Sequence, residues 1–213
     1  QPRSRGLGDV YKRQEPLQAA SVSSGMTSRR TLLLLPFLLP FASARAEGDP
    51  WSHLKQPGAI ILFRHATAPG TGDPSGFVLG DCATQRNLDE TGRAEARALG
   101  EAFRTRGIAV GRVLSSQWCR ARETAELAFP GQAVEEPAFN SFFGNRADEP
   151  AATAGARQIL MDWQGPGVLV AVTHQVNITA LTGIAPRSGE GIIVRIGQGG
   201  AQVLGRLPPS QYQ

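Results

Sequence analysis

No apolar run in this 213-residue chain is long enough to cross a membrane. The longest, Leu32 to Phe41, is half the roughly 20 residues that a helix needs for a hydrocarbon core about 30 Å thick. No cysteine follows that run directly, which excludes a lipoprotein anchor at this point. Lysine nearly vanishes after the first 46 residues, where Lys55 stands alone. A surplus of positive charge is missing there too. Residues 1–46 hold seven of the 22 basic and two of the 18 acidic residues, leaving 15 and 16, a net charge of −1. The basic character belongs to the leader, so nothing supports a nucleic-acid partner. Histidine occurs three times, as His53, His65 and His174, and cysteine twice, as Cys82 and Cys119.

The first 46 residues read as two pieces. Residues 1–25 are polar and lack apolar periodicity, and they are set aside as a non-native or disordered extension. Met26 opens a signal-peptide pattern over 26–46: Ser28-Arg29-Arg30 as the positive segment, Leu32 to Phe41 as the apolar segment, and Ala44-Arg45-Ala46 as an A-x-A cleavage site. The paired arginines fit a twin-arginine signal and an ordinary secretory signal equally. Either predicts a periplasmic or secreted protein with no stable membrane anchor after cleavage. Residues 47–213 are the size of one domain with a sizeable core.

Apolar runs and helical spacings alternate through that domain. Ala59–His65 and Val168–Thr173 read as buried strands, with shorter strands at Arg112–Ser116 and Gln132–Glu136. Helices are expected at Asp89–Arg106, capped by Asp89, and at Trp118–Phe129, Pro150–Trp163 and Gln175–Leu181. Ile192–Ile196 and Gln202–Leu207 read as a closing hairpin around Gln198-Gly199-Gly200. The order β-α-β-α-β-α-β-α-β-β predicts an α/β three-layer sandwich with a mostly parallel central sheet, as a single domain. Residues 66–81, rich in Gly, Pro, Thr and Asp, form a long loop where a substrate-facing lid is expected.

Two of the three histidines end the two most apolar strands. In open α/β sheets, ligands bind at the carboxyl ends of strands. Arg64-His65 ends the first strand, Ser115-Ser116-Gln117-Trp118-Cys119-Arg120-Ala121-Arg122-Glu123-Thr124-Ala125 follows the second, and Thr173-His174-Gln175-Val176-Asn177 follows the fourth. A phosphate dianion needs several positive donors converging on its oxygens. Arg64 and Arg120 can supply planar forks for it. Neutral His65 can attack phosphorus, and His174 can stabilise charge developing on the phosphoryl oxygens. Arg122 is expected to be solvated, and Asn177 and Thr67 to have structural roles.

The Arg-His pair, the Ser-Ser-x-x-x-Arg-Ala-x-x-Thr-Ala stretch and the late histidine together resemble the histidine phosphatase superfamily, with its phosphoglycerate mutase-like fold, over roughly Ala59 to Leu207. The resemblance implies catalytic His65, His174, Arg64 and Arg120, with Arg64, Arg120 and His174 binding phosphate, and no cofactor or metal. It implies a metal-independent phosphatase that hydrolyses a phosphate monoester through a phosphohistidine. Likeness of Asp81–Leu88 and His174–Gly183 to envelope-directed members adds a small phosphorylated substrate, with an envelope sugar phosphate as one case. A phosphohistidine phosphatase and a catalytically silent phosphate-binding module are the alternatives.

The departure from the family pattern concerns the general acid. One branch places an acidic residue after the late histidine, where this chain has Gln175; the other places a glutamate where this chain has Ser141. Asp81, Glu136 and Glu190 are the leading candidates for a displaced acid, with Asp73 and Glu135 behind them. Cys82 and Cys119 are candidates for a disulfide, as an oxidising compartment would favour; two buried free thiols are the alternative. A bond between them would tie the loop bearing Arg86 to the helix bearing Arg120.

Overall fold

A computed structural model describes residues 48–213. The extension and signal-peptide assignments therefore lie outside the described residues. Six strands form one sheet: β1 (Ile60–Arg64), β2 (Val110–Ser115), β3 (Ala133–Glu135), β4 (Val168–Thr173), β5 (Gly191–Gly197) and β6 (Gly200–Leu207). Their order is β3-β2-β4-β1-β5-β6. The β3–β2, β2–β4 and β4–β1 pairs are parallel, whereas β1–β5 and β5–β6 are antiparallel. The sheet is thus mostly parallel, with the expected closing hairpin at one edge.

β1 and β4 lie at the centre because both their faces must be covered. Alternate side chains of each strand enter different cores. Ile61 and Phe63 pack with Val168, Val170 and Val172 beneath Leu99, Ala102 and Phe103 of α1 (Glu90–Thr105) and Ala121 and Ala125 of α2 (Cys119–Ala128). Ile60 and Leu62 pack with Leu169 and Ala171 beneath Ala156 and Leu160 of α3 (Glu149–Met161) and Ile178 and Leu181 of α4 (Gln175–Thr182). Two helical layers and one sheet make the described residues a single three-layer α/β domain. Truncating a fully buried core residue such as Leu62 to alanine is a loss of about 2–5 kcal/mol.

Local chemistry sets the helix ends that matter for the site. Asp89 caps α1 by accepting from the Gly92 amide at 2.7 Å. Gly92 itself cannot carry a side chain, because a Cβ there would sit 2.0 Å from the Thr67 carbonyl oxygen. α4 ends at Gly183, whose φ of 75° is the left-handed cap that glycine adopts without steric penalty. Short 3-10 turns at Cys82–Thr84, Pro137–Phe139 and Arg146–Asp148 have no counterpart among the expected elements; each is only three residues long and has no periodicity to read. Cys82 and Cys119 are joined as a disulfide, with an S–S distance of 2.07 Å.

Candidate active site

The parallel register pairs Arg64 with Thr173, so the next residues, His65 and His174, leave the sheet side by side. The His65 amide continues the ladder by donating to the Thr173 carbonyl at 3.0 Å. The two rings meet edge to face, with centroids 5.5 Å apart. The start of α2 brings in Arg120. These three side chains are only 2–3% exposed.

His65 is held in one tautomer. Its Nδ1 lies 2.8 Å from the Ala66 carbonyl oxygen, which can only accept, so Nδ1 carries the hydrogen. Nε2 therefore keeps its lone pair, and Arg120 Nε–H donates to it at 3.2 Å. Burial, then the charge of Arg120, pushes the His65 imidazole down to about 3, so the ring is neutral near pH 7. His174 is also pushed well below its ordinary value by burial, with His65 and Arg120 adding to the effect. Its Nε2 lies 2.8 Å from Ser116 Oγ.

Thr124, one turn after Arg120, ties these parts together. Its hydroxyl accepts from the Ala66 amide at 3.1 Å and donates to the Arg120 carbonyl at 2.7 Å. Arg64 donates through Nη1 to Gln175 Oε1 at 3.0 Å and to the Pro186 carbonyl at 3.1 Å.

A cleft of about 700 Å³ opens above these groups. Arg64, His65, Arg120 and His174 line its floor. Gly70, Thr71, Gly72, Asp73 and Phe77 of the 66–81 loop line one wall, as expected for a substrate-facing segment, and Ser141, Phe143, Asn145 and Arg146 line another. Phe77 packs against Trp118 at 5.6 Å between centroids, and Trp118 against His174 at 5.5 Å, so aromatic surface runs from the floor to the rim.

Arg86 was not assigned to the pocket from sequence, and Asp73 only as a lesser candidate for the general acid. Arg86 enters the cleft and donates from Nε to the Gly72 carbonyl at 2.8 Å and from Nη1 to the Ala68 carbonyl. Burial and then the neighbouring Arg120 charge lower its pKa, and the same two causes lower that of Arg64. Asp73 forms a two-pronged pair with Arg120, at 2.7 Å to Nη1 and 3.1 Å to Nη2. Only the position of Arg86 within the cysteine-bearing loop hinted at its presence. Asp73 lies 47 residues from its partner, in a segment without periodicity.

The three leading general-acid candidates are corrected by this geometry: none lines the cleft. Asp81 caps the turn at Cys82–Thr84 by accepting from the Ala83 amide at 3.1 Å. Glu136 does the same for Pro137–Phe139, accepting from Ala138 at 3.1 Å. Glu190 is buried and holds Arg206 at 2.7 and 3.0 Å, besides accepting from the Arg187 amide. Glu135 pairs with Arg122 at 2.9 Å in the half-exposed setting expected for that arginine. Asn177 donates to the Asn140 carbonyl, and Thr67 is held by Glu95, so both tie elements together. Among the described residues, the carboxylates that do line the cleft are Asp73 and the exposed Asp148.

Comparison with known proteins agrees with the fold. Residues 60–140 match the family model for the histidine phosphatase superfamily (branch 1). A search of curated proteins found no match. Among solved structures, the protein histidine phosphatase SixA complexed with tungstate aligns with a TM-score of 0.52 at 18% identity, covering 73% of this chain and 99% of that one. The product of open reading frame Rv3214 from Mycobacterium tuberculosis aligns at 0.51 and 15% identity, covering 68% and 94%. Phosphoserine phosphatase from Entamoeba histolytica, in complex with 3-phosphoglyceric acid, aligns at 0.50 and 13% identity, covering 73% and 99%. At these identities the likeness speaks for the fold. The family match runs from β1 to the turn after β3, and it falls on the same fold.

Proposed function

We propose that this protein is an exported phosphatase that hydrolyses a phosphate monoester through a phosphohistidine on His65. The observation that carries the reading is the unprotonated Nε2 of a buried, neutral His65, its tautomer fixed by Ala66, held against the guanidinium of Arg120. A nucleophile needs that lone pair, and a phosphate dianion needs cations converging on one spot. Arg64, Arg86 and Arg120 provide them. His174 lines the same floor beside them, its Nε2 held against Ser116 Oγ.

The chemistry then runs in two displacements. His65 Nε2 bonds to phosphorus as the bond to the leaving oxygen breaks, and the leaving oxygen takes a proton. Water next attacks the phosphohistidine, its proton returning to the acid that served the first step, and the P–N bond breaks to release inorganic phosphate and the free imidazole. For the proton we assign Asp148, since Asp73 is engaged by Arg120 and Asp148 is the exposed carboxylate on the cleft wall. The wall of Trp118, Phe77 and Phe143 suits a ring-bearing leaving group, an envelope sugar among them. The signal-peptide pattern and the disulfide support export to an oxidising compartment.

The absence of a carboxylate at either of the family's acid positions favours a second reading, in which a phosphohistidine is the substrate and the leaving nitrogen needs little help. Kinetics separate the readings. We expect turnover of p-nitrophenyl phosphate and of an alkyl phosphate such as glycerol phosphate, and a loss of at least about 10³-fold in His65→Ala. Turnover of a phosphohistidine peptide with neither ester accepted would move the assignment to the second reading. Vanadate binding with no turnover at all would make the domain a binding module.

A further inference from the structure

Arg120 has five N–H donors, and the structure accounts for most of them. Asp73 Oδ1 accepts from Nη1 and Asp73 Oδ2 from Nη2, at 2.7 and 3.1 Å, and the Arg86 carbonyl takes a weaker contact from Nη1 at 3.4 Å. Nε points at His65 Nε2. Asp73 thus grips the far end of the fork and leaves its other edge, Nε with the second hydrogen of Nη2, turned toward the nucleophile. The carboxylate is itself fixed by other elements. Oδ1 also accepts from the Arg86 amide at 3.2 Å, and Oδ2 from Trp118 Nε1 at 3.0 Å. All four of its lone-pair sites are filled. Its pair with Arg120 is nearly dry, with the two side chains 10% and 3% exposed.

We propose that Asp73 is the positioning residue of the site: it locks the Arg120 guanidinium from behind, so that the Nε–Nη2 edge meets the phosphoryl group on His65. On the phosphoryl-transfer reading, on which this rests, the role has two parts. Asp73 fixes the orientation of a long side chain that would otherwise sample several rotamers. It also offsets one of three positive charges, those of Arg64, Arg86 and Arg120, that crowd the pocket. The same geometry separates it from two other roles. A carboxylate holding four donors is not poised to protonate a leaving group. A carboxylate on the far end of the fork does not occupy the edge that the phosphoryl group uses.

The test combines inorganic phosphate titration by calorimetry with kinetics on p-nitrophenyl phosphate and glycerol phosphate, for Asp73→Asn, Asp73→Ala, Arg120→Ala and the Asp73→Ala/Arg120→Ala pair. We expect Asp73→Ala to weaken phosphate binding and to lower kcat/KM on both esters alike, by about 10²-fold for a misplaced donor. In the Arg120→Ala background the same substitution should add little, because the group it positions is gone. Tighter phosphate binding in Asp73→Ala would identify a competitor and overturn the proposal. Selective loss of the alkyl ester in Asp73→Asn would identify a proton donor and overturn it too. An equal loss in both backgrounds would reduce Asp73 to general structural support, again against the proposal. If the wild-type chain binds phosphate but turns over neither ester, the phosphatase reading fails while the binding arm still decides the role of Asp73. A wild-type chain that binds no phosphate overturns both.

Discussion

The floor and the rim of the cleft are built on different principles. The floor stands on the tips of two central strands and the start of one helix. Its histidines and Arg120 are buried, neutral or paired, and each is held by a backbone or hydroxyl partner. The rim is loop. Phe77 and Phe143 are 36% and 52% exposed, and Val78 and Leu79 beside Phe77 are exposed as well. A floor of this kind commits the molecule to one type of chemistry, because moving its groups means moving the sheet. On the proposed chemistry, a rim of this kind decides what the phosphate is attached to, because loops can change without disturbing the core.

The sharpest way to break this division is to alter rim chemistry that ought to matter only for poor leaving groups. Asp148→Asn is expected to lose about 10²–10⁴-fold on glycerol phosphate with little change on p-nitrophenyl phosphate, the usual range for general-acid help. Equal effects on both esters would mean that Asp148 does not deliver the proton. The disulfide joins the two regions, since it ties the loop that carries Arg86 to the helix that carries Arg120. Replacing both cysteines by serine should lower the unfolding free energy by about 3–4 kcal/mol, which denaturant titration would read. A much smaller loss would show that floor and rim hold together without it.

A third test concerns the floor alone. Both buried histidines have pKa values below those of the unfolded chain. Below pH 6.5 the unfolded chain takes up protons that the native state refuses, so stability falls as the pH drops. The expected slope approaches about 1.4 kcal/mol per pH unit for each histidine. For His65 it persists until the pH nears its folded value of about 3. Denaturant titrations between pH 6.5 and 4.5, above most carboxylate titration, isolate this contribution. Substituting His65 by Ala should remove its share of the slope; an unchanged slope would argue against a buried neutral imidazole.

Legibility in the amino-acid chain divides along the same line between floor and rim. β1 and β4 were legible because a strand covered on both faces is apolar at every position, and Val168–Thr173 has the same bounds in sequence and structure. α1 was legible from Asp89 and its helical spacing. His65, His174 and Arg120 were legible because the ends of such elements are where side chains can converge. Asp73 was legible only as one carboxylate among several, since a loop has no period from which its direction can be inferred. For that reason Asp81 and Glu136, near the site in sequence, turned out to cap short turns. Glu190 was engaged by Arg206 across the β5–β6 hairpin, a partner that proximity along the chain does not suggest.

One hydroxyl carries a consequence of its own. Thr124 holds the amide following His65 with its oxygen lone pair and the Arg120 carbonyl with its hydrogen. His65 and Arg120 therefore hang from one short bracket. Thermal displacement of one carries the other with it, so errors in their separation tend to cancel instead of accumulating. The site can tolerate a breathing sheet and still keep the spacing of these two groups constant.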